Sequence, residues 1–260
     1  MRSKVIYRGE ASQKYDWQYA TGHPIGTESL YTWTGKFYSE EALLNPEVAK
    51  PAGLTRAGEL MFADLNGDKV INNDDMAYQG FTETPEITFG MNLGLDYKGF
   101  YLSASWYGAS NVAYRPSGAI RNEFANNVQP FQMADRWVYD PERGLDTRAT
   151  AKYPLLMIGG APQTRLPSTF HKLNAAYLRL RAVELGYDFP KALSQKLRVS
   201  ALRVFVSGSN LLTFSGMNKY HIDPEYIGSN NPDAGGTNGA STGVYSPQNK
   251  FYAFGLNVVF

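Results

Sequence analysis

The residues best suited to chemistry lie in Asp64-Leu-Asn-Gly-Asp-Lys-Val-Ile-Asn-Asn-Asp-Asp75. Counting Asp64 as position 1, side-chain oxygens fall at positions 1, 3, 5, 9 and 12 (Asp64, Asn66, Asp68, Asn72, Asp75), and the Val70 carbonyl at position 7. Calcium takes about six to eight oxygen ligands, and this spacing wraps that many around one point. Many ligands on a flexible loop suit Ca²⁺ better than Mg²⁺. The sequence departs from the usual calcium loop at Lys69, where a glycine makes the sharp turn, and at Asp75, where a glutamate closes the site. A solvated Asp/Asn turn is the alternative reading, and the spacing leaves it open.

No other chemistry is assembled in the sequence. His23, His171 and His221 are far apart, and no Ser, His and carboxylate set falls at a triad-like or paired spacing. His23 sits in Gly-His-Pro-Ile-Gly, which reads as a turn between strands. The chain holds no cysteine, which excludes disulfides and thiolate metal sites. The expectation is therefore a chain without catalytic residues.

The elements around the loop are strands. In Glu86 to Lys98, Ile87, Phe89, Met91, Leu93, Leu95 and Tyr97 alternate with Thr88, Gly90, Asn92, Gly94 and Asp96, giving one apolar face and one polar or glycine face. Lys98-Gly99 predicts a tight turn, followed by a return strand with Phe100, Leu102, Ala104 and Trp106 on one face. Arms of about 9–11 residues match a tilted strand that crosses a bilayer, whereas strands in soluble sheets run about 5–6 residues.

Further strands are predicted at Ala175 to Phe189, at Leu202 to Phe214 and at Lys250 to Phe260, with a shorter start near Val5 to Tyr7 and two more near Trp17 and Trp33. In the first of these the apolar parity switches from Leu178 and Leu180 to Val183, Leu185 and Tyr187, which predicts a bulge near Ala182. Ser39 is an N-cap candidate for a helical turn at Glu40 to Leu44, and a short helix is expected near Phe131 to Tyr139. Connections alternate between short, at 98–99 and 190–199, and long, near 36–84, 108–170 and 215–249. This is the rhythm of an up-and-down transmembrane barrel, whose two rims carry turns and loops respectively.

Composition narrows the classes. With 25 basic and 24 acidic residues the net charge is +1, which leaves no electrostatic footprint for nucleic acid. No run of eighteen apolar residues offers a helical span, while a mean hydropathy of -0.36 accommodates a β-barrel, half of whose wall residues are polar. The opening Met1-Arg-Ser-Lys-Val-Ile-Tyr-Arg has no apolar stretch or small-residue cleavage site of a secretory signal. The expectation is a piece of a longer exported protein rather than a cytosolic chain.

The ordered motifs Asp64-Leu-Asn-Gly-Asp, Phe89-Gly-Met-Asn-Leu, Tyr97-Lys-Gly-Phe-Tyr-Leu-Ser, Tyr177-Leu-Arg-Leu-Arg, Leu202-Arg-Val-Phe-Val-Ser-Gly-Ser-Asn-Leu and the closing Tyr-Ala-Phe-Gly-Leu-Asn-Val-Val-Phe resemble the C-terminal part of SusC/RagA-type TonB-dependent transporters of Bacteroidetes. The resemblance implies an all-β chain: part of the wall of a plugged outer-membrane barrel with its C-terminus in the periplasm, as one domain over 1–260. It implies uptake of a glycan oligosaccharide or peptide with a SusD-like surface lipoprotein and TonB, the latter through a missing N-terminal part. Such barrels have about 22 strands, so this chain alone is expected not to transport. Two other readings stay open: a small outer-membrane barrel acting as adhesin or structural protein, and a secreted calcium-dependent carbohydrate-binding module. Trp33, Trp106, Tyr114 and Trp137 are candidates for stacking on sugar rings, or for the aromatic girdle and loop packing of a barrel.

Overall fold

The computed structural model describes residues 4–116, 128–158, 164–225 and 248–260. In chain order the strands are β1 (Glu28–Tyr31), β2 (Trp33–Phe37), β3 (Lys50–Pro51), β4 (Leu60–Phe62), β5 (Val70–Ile71), β6 (Met76–Gln79), β7 (Ile87–Tyr97), β8 (Phe100–Ser110), β9 (Ala113–Tyr114), β10 (Tyr139–Asp140), β11 (Leu145–Asp146), β12 (Leu173–Asn174), β13 (Tyr177–Asp188), β14 (Ala201–Ser215) and β15 (Phe251–Val259). Short helices are α1 (Glu40–Leu44), α2 (Pro130–Ala134) and α3 (Lys191–Lys196). The chain is thus all-β in character. It divides into two compact units, one drawn mainly from Met1–Thr84 and Ala113–Leu173, the other from Pro85–Val112, Asn174–Ile227 and Tyr245–Phe260.

The second unit is one antiparallel sheet in the order β15-β14-β13-β8-β7. The hairpin of β7 and β8 turns at Lys98 (φ 49°) and Gly99 (φ 87°), both left-handed as a two-residue turn matched to strand twist requires. The bulge forms where the parity switch places it: pairing of β13 with both neighbours slips between Leu180 and Ala182. Against β8 the extra residue is Arg181; against β14 it faces both Asn210 and Leu211. Glycines on the polar face make room for rings on the adjacent strand. A Cβ on Gly186 would run into the Tyr101 ring, and one on Gly255 into the Phe205 ring.

The first unit is built from short paired strands: β1 with β6, β2 with β4, β3 with β5, and β10 with β11. Tyr31, Leu60, Phe62 and Ile71 form its core, with Trp33, Phe37, Met76, Leu166 and Phe170 packed around them. Ser39 caps α1 as expected, its hydroxyl accepting from Ala42 N at 3.1 Å. The strands near Trp33 do not join the five-stranded sheet; they pair inside this unit. Neither Val5 to Tyr7 nor the stretch around Trp17 forms a strand; Asp16–Gln18 is a 3-10 turn capped back on Tyr15. Val5 instead exchanges single backbone bonds with His23 and Gly22, both at 2.8 Å, because the turn at Gly22 brings a bonding partner to that residue alone. The helix expected at Phe131 to Tyr139 is shifted to Pro130–Ala134, with proline at its first turn, and Tyr139 belongs to β10.

Candidate functional site

Three features carry the functional argument, and the largest is a sheet face. Because facing residues in a ladder share a side, the register assembles the alternation of single strands into rows. Tyr97, Phe100, Tyr187, Val204 and Leu256 form one row, and Leu95, Leu102, Leu185, Val206 and Phe254 the next. Leu93, Ala104, Val183, Gly208 and Tyr252 follow, then Met91, Trp106, Leu180 and Leu212. The bulge keeps these rows in line: without it, every residue of β13 before Arg181 would point to the wrong side. Leu95 is 63% exposed, Leu185 48%, Phe254 75% and Leu256 59%. An apolar face this continuous is a surface that meets something other than water.

The opposite face carries Tyr101, Ser103, Ser105, Tyr107, Tyr177, Arg179, Glu184, Ser207 and Thr213. Its centre is Arg179, buried to 2% exposure. Arg179 Nε donates to Thr213 Oγ1 (3.0 Å), Nη1 to Glu225 Oε2 (2.7 Å) and Nη2 to Asp223 Oδ2 (2.8 Å). Glu225 also accepts from the Tyr177 hydroxyl and from Arg181 Nη2, each at 2.9 Å, and from Gln248 Nε2 at 3.1 Å. Two guanidinium groups thus balance two carboxylates. The segment after β14 and the one leading into β15 are fastened at the same point.

The third feature is the Asp64 to Asp75 loop. Asp64 Oδ1 and Oδ2 accept from the backbone amides of Gly67 (2.7 Å) and Lys69 (2.8 Å). Asn66 Oδ1 accepts from Asp68 N (3.0 Å), Asp68 Oδ1 from Val70 N (2.8 Å) and Asn72 Oδ1 from Asp74 N (2.7 Å). Asp75, fully buried, accepts from Leu65 N (2.8 Å) and Asn72 N (2.9 Å), tying position 12 back to position 2. Lys69 takes a left-handed backbone (φ 66°), so the turn is made without glycine, and its ammonium pairs with Glu47 at 2.6 Å. The Val70 carbonyl accepts from Asn72 Nδ2 at 3.3 Å. Among the described residues no three His, Cys, Asp or Glu side chains converge on one point. The segment from Lys14 to Gln18 clasps the loop: Lys14 Nζ reaches Asp74 Oδ2 (2.6 Å), Trp17 Nε1 donates to Asp74 O (2.8 Å), and Tyr15 stacks on Trp17 at 4.5 Å.

The tryptophans and Tyr114 occupy different settings. Trp33 packs edge-on against Phe170, Trp137 covers Gly58, Tyr114 is buried, and Trp106 stands in the apolar row between Met91 and Leu180. Sequence reasoning missed the Arg179 cluster. The two arginines were visible in β13, but their partners stand over forty residues away in a segment without periodicity.

An antiparallel sheet of strands mostly 11 to 15 residues long, apolar on one side and polar on the other, has the form of an outer-membrane barrel wall. No protein-family model matches the chain. It is 27% identical over 248 residues, 92% of its length, to TonB-dependent receptor P3 of Formosa agariphila. It is 28% identical over 244 residues, 90% of its length, to TonB-dependent receptor P26 of the same organism. Each alignment takes in 22% of the relative, so the chain spans about a fifth of the length of the curated relatives it matches. The solved RagAB peptide transporter covers 92% of this chain with 23% of its own, at a TM-score of 0.57 and 20% identity, which shows a shared fold. The resemblance to TonB-dependent receptors therefore holds in sequence, and the fold is shared with the RagAB transporter.

Proposed function

We propose that this chain forms wall strands and surface loops of an outer-membrane TonB-dependent importer. The carrying observation is the exposed apolar face, two of whose rows run unbroken from β7 to β15. Along a strand of eleven residues this face extends about 36 Å, and tilting of about 45° brings it to the thickness of a bilayer's apolar layer. Among the described residues no helix is long and apolar enough to cross a membrane. The long connections 111–176 and 216–250 leave one end of the sheet and the short ones, 98–99 and 189–200, the other. On this reading the long ones form the outer rim and the C-terminus faces the periplasm. The importer would take in an oligosaccharide or a peptide, with a SusD-like lipoprotein and TonB as partners. The reading assigns no catalytic residue.

The test uses the absence of cysteine. Single cysteines at Leu95, Leu185, Val206 and Phe254, in the full chain assembled in outer membranes, should react with a membrane-dissolved maleimide and resist a charged one. Cysteines at Ser103 and Ser207 should show the reverse. Equal labelling of both sets by the charged reagent would refute the wall.

We propose separately that the Asp64 to Asp75 loop takes calcium through Asp64, Asn66, Asp68, the Val70 carbonyl, Asn72 and Asp75. Support comes from the left-handed Lys69, which gives position 6 the backbone a glycine would, and from Asp75 folding back on Leu65. Each carboxylate oxygen that accepts one amide keeps a second lone pair for a cation. Calorimetric titration of calcium into wild type and Asp64→Ala decides it, since equal heats would remove the ion.

A further inference from the structure

A cavity of about 290 Å³ opens beside the Arg179 cluster, lined among others by Arg179, Asn210, Asn218, His221, Asp223 and Lys250. Three observations mark it as more than a crevice. The buried charges next to it are already balanced, Arg179 and Arg181 against Asp223 and Glu225. The Lys250 ammonium has no hydrogen-bond or ion-pair partner among the described residues, so the charge left over at the mouth is positive. Asn210 and His221 both hold left-handed backbones (φ 55° and 57°), a conformation these residue types adopt more readily than most, and His221 does so as the cap of the turn Asn218–Tyr220. Asn210 also lies in the β14 bulge, a device that re-aims side chains at such sites.

We propose that this cavity binds the carboxylate group of a small solute. The Lys250 ammonium supplies the charge-assisted hydrogen bond, stronger than its neutral counterpart. The side-chain amides of Asn210 and Asn218, whose nitrogens donate to Asn249 O (3.4 Å) and Thr213 O (2.9 Å), leave carbonyl oxygens for hydroxyl or amide donors on the same ligand. The Arg179 cluster is the floor: its carboxylates are saturated, so they do not repel the incoming anion as free ones would. A uronic-acid residue and a peptide C-terminus both carry this chemistry. The inference deepens the importer reading and rests on it for the origin of the solute, but binding itself needs no membrane.

The test is calorimetry on the full chain in detergent with four probes: trigalacturonate, its neutral galactose counterpart, trialanine, and trialanine amide. We expect at least one acid to bind tenfold or more tightly than its neutral partner, with the difference shrinking as salt is raised. Lys250→Gln should erase that difference and Lys250→Arg retain it. Lys250 is exposed, so neither variant endangers the fold. Preference for one acid identifies the source and supports the site. Equal binding of acid and neutral forms, no binding of any probe, or a Lys250→Gln variant that still discriminates would overturn it. Cysteine labelling of the sheet faces reports on the wall separately, so failure of either reading is recognised by itself.

Discussion

Arg179 Nη2 and Asp223 Oδ2 lie 2.8 Å apart with both side chains withdrawn from solvent, one on a strand and the other on the segment that follows the next strand. The pair fixes where the chain leaves β14. Burying ions costs several kcal/mol each, which their mutual attraction offsets only when every remaining donor and acceptor is matched. Here Thr213, Glu225 and Gln248 complete the matching. Arg179→Met should therefore cost about 3–5 kcal/mol, because it strands the buried Asp223 carboxylate and leaves Glu225 with Arg181 as its one guanidinium partner among the described residues. Combining it with Asp223→Leu and Glu225→Met should recover most of that loss. Urea midpoints of the refolded full chain in detergent check both, and a triple variant no more stable than the single would refute the charge argument.

The two sheet faces should respond oppositely to the same substitution. Leu185→Arg places a charge in the middle of the apolar rows, and on the proposed wall reading a lipid-facing arginine there costs about 2–4 kcal/mol. Ser207→Arg falls on the polar side, opposite Glu184, and should be nearly neutral. Assembly yield in outer membranes and denaturant midpoints in lipid vesicles are the measurements, and equal losses at both positions would contradict the assignment of faces.

Much of the sheet was legible because alternation leaves a written trace. Every second residue from Ile87 to Tyr97 is apolar, and the parity change after Leu180 marked the bulge before any register was known. The first unit left no such trace. Its strands are two to five residues long, as in Lys50–Pro51 with Val70–Ile71, too short for a period to show. The stretch from 36 to 84 therefore reads as a loop, although Leu60, Phe62 and Ile71 build a core there. The spacing of the Asp64 loop was equally visible. What it could not reveal is that backbone amides take up its oxygens, since an Asx turn and a metal loop use the same residues.

Glu59 gives the first unit a pH dependence. Its carboxylate is fully buried with no hydrogen-bond partner among the described residues. Burial pushes its pKa above the ordinary 4.5, and Arg56, through its backbone N–H and then its guanidinium 3.9 Å away, offsets only part of this. The folded state thus holds a proton that the unfolded chain releases near pH 4.5. The contribution to stability is fully present below that pH and is lost as pH rises through the higher folded value. Glu59→Gln should flatten this fall and raise stability at neutral pH. Thermal unfolding across pH 4 to 8, followed by a probe in this unit, checks it; identical slopes in both proteins would refute the assignment.

Asp75 should matter more than any other residue of its loop, with or without calcium. Its two oxygens satisfy the amides of Leu65 and Asn72 at a fully buried position. Each buried donor left unpaired costs about 1–3 kcal/mol. Asp75→Ala should thus lose about 2–5 kcal/mol, and Asp75→Asn, which keeps one acceptor, roughly half. Asp64 is different, because the amides it holds, Gly67 and Lys69, are exposed and water can replace it. Asp64→Ala should be mild in calcium-free buffer. If the loop takes calcium, adding the ion stabilises wild type in proportion to the logarithm of its concentration over Kd and leaves Asp64→Ala where it was. Denaturant midpoints in EDTA and in millimolar calcium separate the two contributions: a large loss for Asp64→Ala in EDTA would contradict the hydrogen-bond argument, and a calcium shift of equal size in both proteins would contradict the ion site.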